Sequence, residues 1–117
     1  MEFSGQLSKL DKAIALERLG GDEELLQEVA VLFLEEYPTL MGEIRAALDA
    51  NNPNQVERAA HSLKGSVSNF GSEAACQAAL TLEMLGRAND LSSAEASYTN
   101  LVQVMEAIHP ELVALAA

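Results

Sequence analysis

Apolar residues recur along most of this chain at three- and four-residue spacing, the period of a helix with one buried face. The longest stripe runs through Leu25, Leu26, Val29, Leu32, Phe33, Tyr37, Leu40, Met41, Ile44 and Leu48. Asp22 can cap that helix, and Glu23 and Glu24 fall in its first turn, where the helix dipole favours negative charge. Pro38 interrupts the stripe without changing its phase, which predicts one kinked helix in preference to two. Ahead of it, Leu10 to Leu19 followed by Gly20-Gly21 predicts a short helix with a glycine cap. Asn51-Asn52-Pro53 is a turn with an N-cap and an N1 proline, after which Val56, Ala59, Ala60, Leu63, Val67 and Phe70 mark a third helix ended by Gly71. Ser72 opens a fourth helix through Ala75, Ala78, Ala79 and Leu82 to about Arg87. Beyond the break at Ala88-Asn89-Asp90, the spacing of Ser92 to Glu95 fits a capping box. Tyr98, Leu101, Val102, Met105, Ile108 and Leu112 continue a fifth helix, whose last turns Pro110 is expected to bend or fray.

A short helix and four longer ones on short turns predict an all-α fold: an antiparallel up-down-up-down four-helix bundle with an N-terminal capping helix. Composition agrees. The 49% hydrophobic content is mostly Ala and Leu, with no Trp, and these residues favour helix over strand. With 117 residues and no linker, low-complexity tract or repeat, residues 1–117 read as a single domain. Eighteen acidic residues against seven basic ones give a net charge of -11, which repels phosphate backbones and anionic lipid surfaces. Nucleic acid and membrane are therefore not expected as partners. The single Cys76, the lack of a leader pattern and a longest apolar run of Val29 to Leu34 predict a soluble, cytoplasmic protein.

The third helix places one histidine by geometry. At about 100° per residue, its apolar positions fall in a stripe roughly 80° wide, and His61 points roughly 140° from the stripe's centre. The ring stands on the outside of the helix beside Glu57, Lys64, Gly65 and Ser68. Taken alone, His61 also fits an ordinary solvated surface residue. Its neighbours bear on the choice. Gly65 lies one turn later in mid-helix, where glycine costs about 0.5–1 kcal/mol relative to alanine. A bare backbone there leaves room for a phosphoryl group or another protein. Lys64 brings an ammonium near the ring, and residues 51–71 carry a net charge of +1 from Glu57, Arg58 and Lys64 in an otherwise acidic chain.

The run Ala60-His61-Ser62-Leu63-Lys64-Gly65-Ser66, with Asn69-Phe70-Gly71 and the later Leu82-Glu83, resembles the histidine phosphotransfer (HPt) domains of bacterial phosphorelays. The resemblance extends from about Leu10 through the LGGDEELL and LFLEE segments to the fourth helix. It implies that His61 is the phosphoacceptor, that Lys64 helps neutralise the phosphoryl group, that Gly65 leaves room for it, and that Glu83 is a polar residue close to the histidine. It further implies exchange with the aspartate of response-regulator receiver domains and a sensor histidine kinase upstream. No cofactor is expected on this chain, the divalent metal (Mg) being expected on the receiver. A neutral imidazole is a nucleophile near pH 7, and its N–P bond is reactive enough to pass the group on. No autonomous kinase activity is expected, because no nucleotide-binding glycine loop is present.

Two alternatives remain at this level: a non-catalytic helical docking module, and the N-terminal phosphotransfer fragment of a chemotaxis-type histidine kinase. A di-metal carboxylate site needs two Glu-x-x-His pairs, and only Glu106 to His109 has that spacing, so His109 reads as a solvated or dipole-stabilising residue. On the fourth helix, Cys76, Leu80, Glu83 and Met84 lie off the core stripe. With Ser68, Leu80 and Met84 are the candidate partner-binding residues, Leu80 serving equally to fill a helix seam. Cys76 reads as a small buried hydrophobe. A monomer is expected, since one exposed histidine needs no dimer partner.

Overall fold

A computed structural model describes residues 10–117. Residues 1–9, on which the expectation of no leader and the start of the single domain rest, lie outside the described residues. The described chain is all-helical: α1 (Lys12–Arg18), α2 (Glu23–Asp49), α3 (Pro53–Val67) with a 3-10 turn (Ser68–Phe70), α4 (Glu73–Arg87) and α5 (Ala94–Ala116). No strand occurs among the described residues.

Local chemistry sets most of these boundaries. Asp22, Asn52 and Ser72 accept hydrogen bonds from the backbone N–H groups of Leu25, Gln55 and Ala75, satisfying donors that a helix start leaves free. Asp11 does the same for α1 through Ile14 N–H. Gly71 adopts a left-handed φ of 71° after the 3-10 turn, so α3 tightens before it stops. A Cβ at Gly71 would also meet Asp11 Cβ at 2.8 Å. α2 continues unbroken through Pro38, as the phase of its stripe predicts, and α5 continues through Pro110.

The expected capping box at α5 does not form. The helix opens after Ser93, whose side chain makes no capping bond. Ser92 donates its hydroxyl to Asp90 at 2.7 Å, and Glu95 is drawn across to Arg45 of α2. A nearby guanidinium offers a carboxylate two charge-assisted bonds, which outcompete one bond to a backbone N–H.

α2 packs on α3, α3 on α4, α4 on α5, and α5 returns to α2, closing a ring of four long helices around one core. Its fully buried residues include Phe70, Leu26, Ile44, Leu63, Leu82, Leu101 and Ile108. α1 lies across one end. Its N-cap Asp11 donates N–H to the Phe70 carbonyl at 3.0 Å, and the Phe70 ring meets Phe33 at a tilt of 44°, with centroids 5.3 Å apart. At the α2–α5 seam, the Tyr37 hydroxyl is 2.8 Å from His109 Nδ1. His109 is thus tied to a neighbouring helix instead of being only solvated.

α3 and α4 approach each other closely at Gly86. Gly86 is buried, and a Cβ added to it would lie 2.6 Å from the Pro53 carbonyl oxygen and 2.7 Å from Glu57 N. Both are backbone atoms, which cannot swing aside. Gly86→Ala is therefore expected to destabilise the protein by about 1–3 kcal/mol, despite alanine's better helix propensity. Urea unfolding checks this, and an unchanged midpoint would show that the crossing can relax.

Candidate functional site

The α3–α4 crossing brings residues 61, 64 and 83 into one cluster. His61 stands on the outer face of α3 with its side chain 66% exposed. From α4, Glu83 reaches into the seam and is only 2% exposed, a buried charged residue of the kind that requires partners. Three cations or donors meet it. His61 Nδ1 is 2.9 Å from Glu83 Oε2, and Arg87 Nη2 donates to the same oxygen at 2.9 Å. Lys64 Nζ is 2.8 Å from Oε1, yet Oε1 has no partner in hydrogen-bond alignment. Lys64 thus meets one oxygen through a rotatable ammonium, whereas His61 and Arg87 converge on the other through planar groups. Arg87 extends the network by donating Nε to Glu57 Oε2 at 2.9 Å, back on α3.

Burial alone would push the Glu83 carboxyl up, but the Lys64 ammonium and the His61 ring outweigh it and hold the carboxyl below the ordinary glutamate range. Glu83 is accordingly ionised at neutral pH and can only accept hydrogen bonds. That fixes the ring opposite. Nδ1 of His61 must carry the proton it shares with Glu83, which leaves the lone pair of the neutral ring on Nε2, pointing away from the seam. An outward, unshared imidazole nitrogen backed by a carboxylate is a nucleophile that gains stabilisation when its ring becomes positive.

Space around His61 is open on both sides. Two shallow depressions meet at His61 and Ser62. One is lined by Glu57, Arg58, Glu83 and Arg87, the other by Glu36, Leu40, Gly65, Ser66 and Asn69. A Cβ built on Gly65 meets nothing within 4 Å, so no intramolecular contact requires glycine there. Among the described residues, no three His, Cys, Asp or Glu side chains gather as a metal-binding group.

The candidate partner-binding residues fall in three different settings. Met84 is 48% exposed, with Arg87 Nη1 3.8 Å from its sulfur. Leu80, one turn before it, is half-buried and stands apart from the core cluster. Ser68 is half-buried and donates its hydroxyl to the Gly65 carbonyl at 2.8 Å, an internal bond that occupies its donor. Cys76 is half-buried against the core, and burial pushes its thiol up, as a packing residue's should be.

One expectation is corrected. Glu83 does not lie off the buried face of α4 with Leu80 and Met84; it is part of that face. Hydrophobic periodicity passes over a charged residue, although Glu83 flanks the stripe on the side that α3 covers. Arg87 was missed altogether, and its signal was the four-residue spacing from Glu83, which places acid and base on one helix edge.

Because its carboxyl titrates below the ordinary range, Glu83 contributes stability that is complete above about pH 4–5 and lost as pH falls through the lowered value. The wild type should therefore lose stability relative to Glu83→Gln on going from about pH 7 to pH 3. Parallel pH dependences in urea unfolding would mean that Glu83 is not ionised by its neighbours.

With the site described, comparison with known proteins is informative. Residues 28–111 match the model of the Hpt domain family. No curated protein sequence matches the chain. Among solved structures, histidine-containing phosphotransfer protein B (HptB) from Pseudomonas aeruginosa PAO1 superposes with a TM-score of 0.81. The match covers 88% of this chain and 90% of that one at 21% identity, a likeness of fold. No described helix is long and apolar enough to cross a membrane. The family match spans most of the chain and includes the His61–Glu83 cluster, and this protein belongs to the Hpt domain family, with a histidine phosphotransfer role in phosphorelays.

Proposed function

We propose that His61 is the phosphoacceptor and that it exchanges a phosphoryl group, through Nε2, with the aspartate of response-regulator receiver domains. The observation that carries this is the pairing of an exposed ring with a buried carboxylate: Nδ1 is held by Glu83 while Nε2 faces solvent.

In the forward step, the Nε2 lone pair attacks phosphorus as the bond to the receiver's aspartyl oxygen breaks, and that oxygen leaves with its electron pair as a carboxylate. The ring keeps its Nδ1 proton and becomes positive. Glu83 stabilises that charge across the 2.9 Å contact, in the way a buried aspartate stabilises imidazolium in hydrolases. The cationic ring is also a good leaving group, so the reverse step returns a neutral imidazole. Lys64 reaches Glu83 through one contact on a flexible stem, so it can turn from Glu83 to the phosphoryl oxygens. Gly65 leaves the approach clear. The chain itself contributes positioning and charge, while the receiver supplies the aspartate and a divalent metal (Mg).

The same reading includes a sensor histidine kinase upstream and docking of receivers around Ser68, Leu80 and Met84. It also takes residues 1–117 as a single domain, monomeric and working in the cytoplasm of a bacterium, the last supported by the bacterial origin of HptB. The helix order is read as antiparallel up-down-up-down, supported by the ring of contacts from α2 to α5.

His61→Gln should abolish transfer from a labelled phosphorylated receiver while leaving the fold intact by circular dichroism. The label on the wild type should be lost in acid and survive base. Label on the glutamine variant would put the acceptor on another residue, and no label on the folded wild type from a panel of receivers would favour the docking-module reading. Gly65→Ala separates access from stability. Filling open space should stabilise the helix by about 0.5–1 kcal/mol while slowing transfer. A variant that is more stable and equally fast would remove the access role.

A further inference from the structure

Glu83 is held by two unlike cations, and the difference between them assigns a role to Arg87. Lys64 Nζ makes a single contact with Oε1 at 2.8 Å, from the end of a flexible stem. Arg87 makes two directed bonds from a rigid planar fork, one to Glu83 Oε2 and one to Glu57 Oε2, each 2.9 Å. The fork therefore bridges α4 to α3 and places Glu83 Oε2 where His61 Nδ1 meets it. Arg87 is more than half exposed, but both its partners are more buried than it is, Glu83 almost completely. The crossing that sets this span is the one Gly86 permits, the residue immediately before Arg87.

When a phosphoryl dianion appears on Nε2, Lys64 has a stronger partner than Glu83. A buried carboxylate left with no cation would be drawn toward protonation or toward water, and its hold on Nδ1 would loosen. Arg87 is less free to make the same exchange, because its Nε is also bonded to Glu57 at 2.9 Å.

Resting on the phosphoacceptor reading of His61, we propose that Arg87 is a positioning residue for phosphotransfer: pinned by Glu57, it keeps the Glu83 carboxylate on His61 Nδ1 while Lys64 moves between Glu83 and the phosphoryl group. Arg87 then acts through Glu83 and need not touch the phosphoryl group. The other charged groups around His61 are Arg58 of α3 and Glu36 of α2, which line the adjoining depressions and make no bond to Glu83.

The test uses the full chain and no protein partner, so that docking cannot contribute. Phosphoramidate serves as donor: its P–N bond breaks as the Nε2–P bond forms, and ammonia leaves with the electron pair. Wild type, Arg87→Gln, Arg87→Lys and Lys64→Gln are compared by labelling rate and by the 15N signals of the His61 ring before labelling, with His61→Gln as the labelling control. Arg87→Gln should slow labelling about 10-fold and convert the single Nδ1–H form of the ring into a mixture with the Nε2–H form. Arg87→Lys keeps charge without the fork and should recover only part of each. Lys64→Gln should slow labelling while keeping the Nδ1–H form. The proposal is overturned if Arg87→Gln, folded, keeps both the wild-type ring signals and the wild-type labelling rate, which would leave Arg87 as a helix-to-helix tie. Labelling that is equal in wild type and His61→Gln would instead defeat the phosphoacceptor reading, and the ring signals of Arg87→Gln would still decide the positioning role.

Discussion

The site depends on one buried carboxylate. Glu83 is the point at which α3 and α4 are joined by charge, and every group of chemical interest near His61 is placed by its relation to that carboxylate. A carboxylate this buried persists as an anion only when neighbours compensate it. Here the compensation comes from the imidazole and ammonium of α3 and the guanidinium one turn along α4. The arrangement orients as well as stabilises, because an anion that can only accept hydrogen bonds dictates which ring nitrogen carries the proton. In the proposed function, the exposed nitrogen is the reactive one as a consequence of what happens at the buried one.

The packing of α3 on α4 sets the distance on which this cluster depends. Gly86 lets the α3 and α4 backbones approach closely enough for Arg87 to span from Glu83 to Glu57, and the alanine-rich face of α4 keeps the rest of that seam thin. Away from the site, the ties are of other kinds. Arg45 bridges Asp49 and Glu95 and lies over the Tyr98 ring, joining α2 to α5, while Tyr37 meets His109 further along the same seam. α1 and the tilted Phe33–Phe70 pair close one end of the core. These features hold the frame without approaching His61, which fits a domain whose chemistry is confined to one face.

Much of this was legible in the sequence. The five helices follow from stripes and caps, and Asp22, Asn52 and Ser72 cap as their spacing predicts. The outward direction of His61 follows from helical phase alone. Other features were hidden because they depend on contacts between helices. Asp11 as the cap of α1 competes with Leu10 in the apolar pattern, and the expected box at Ser92 gave way to Arg45, fifty residues away in sequence from Glu95. Glu83 falls outside the core stripe in the sequence, because hydropathy counts a glutamate as polar whether or not a neighbouring helix covers it. Arg87 had no apolar or motif signal, only its spacing from Glu83. Phase along one helix predicts direction well; burial of a charge needs knowledge of what lies opposite.

The central claim is that Glu83 fixes the His61 proton on Nδ1 and so makes Nε2 the phosphoacceptor. The most direct measurement is NMR of the phosphorylated wild-type protein with 15N-labelled histidine, which identifies the ring nitrogen that carries phosphorus. The account predicts a single phosphohistidine at residue 61 linked through Nε2, with a proton retained on Nδ1. Phosphorus on Nδ1 of His61, or on any other residue, would contradict it.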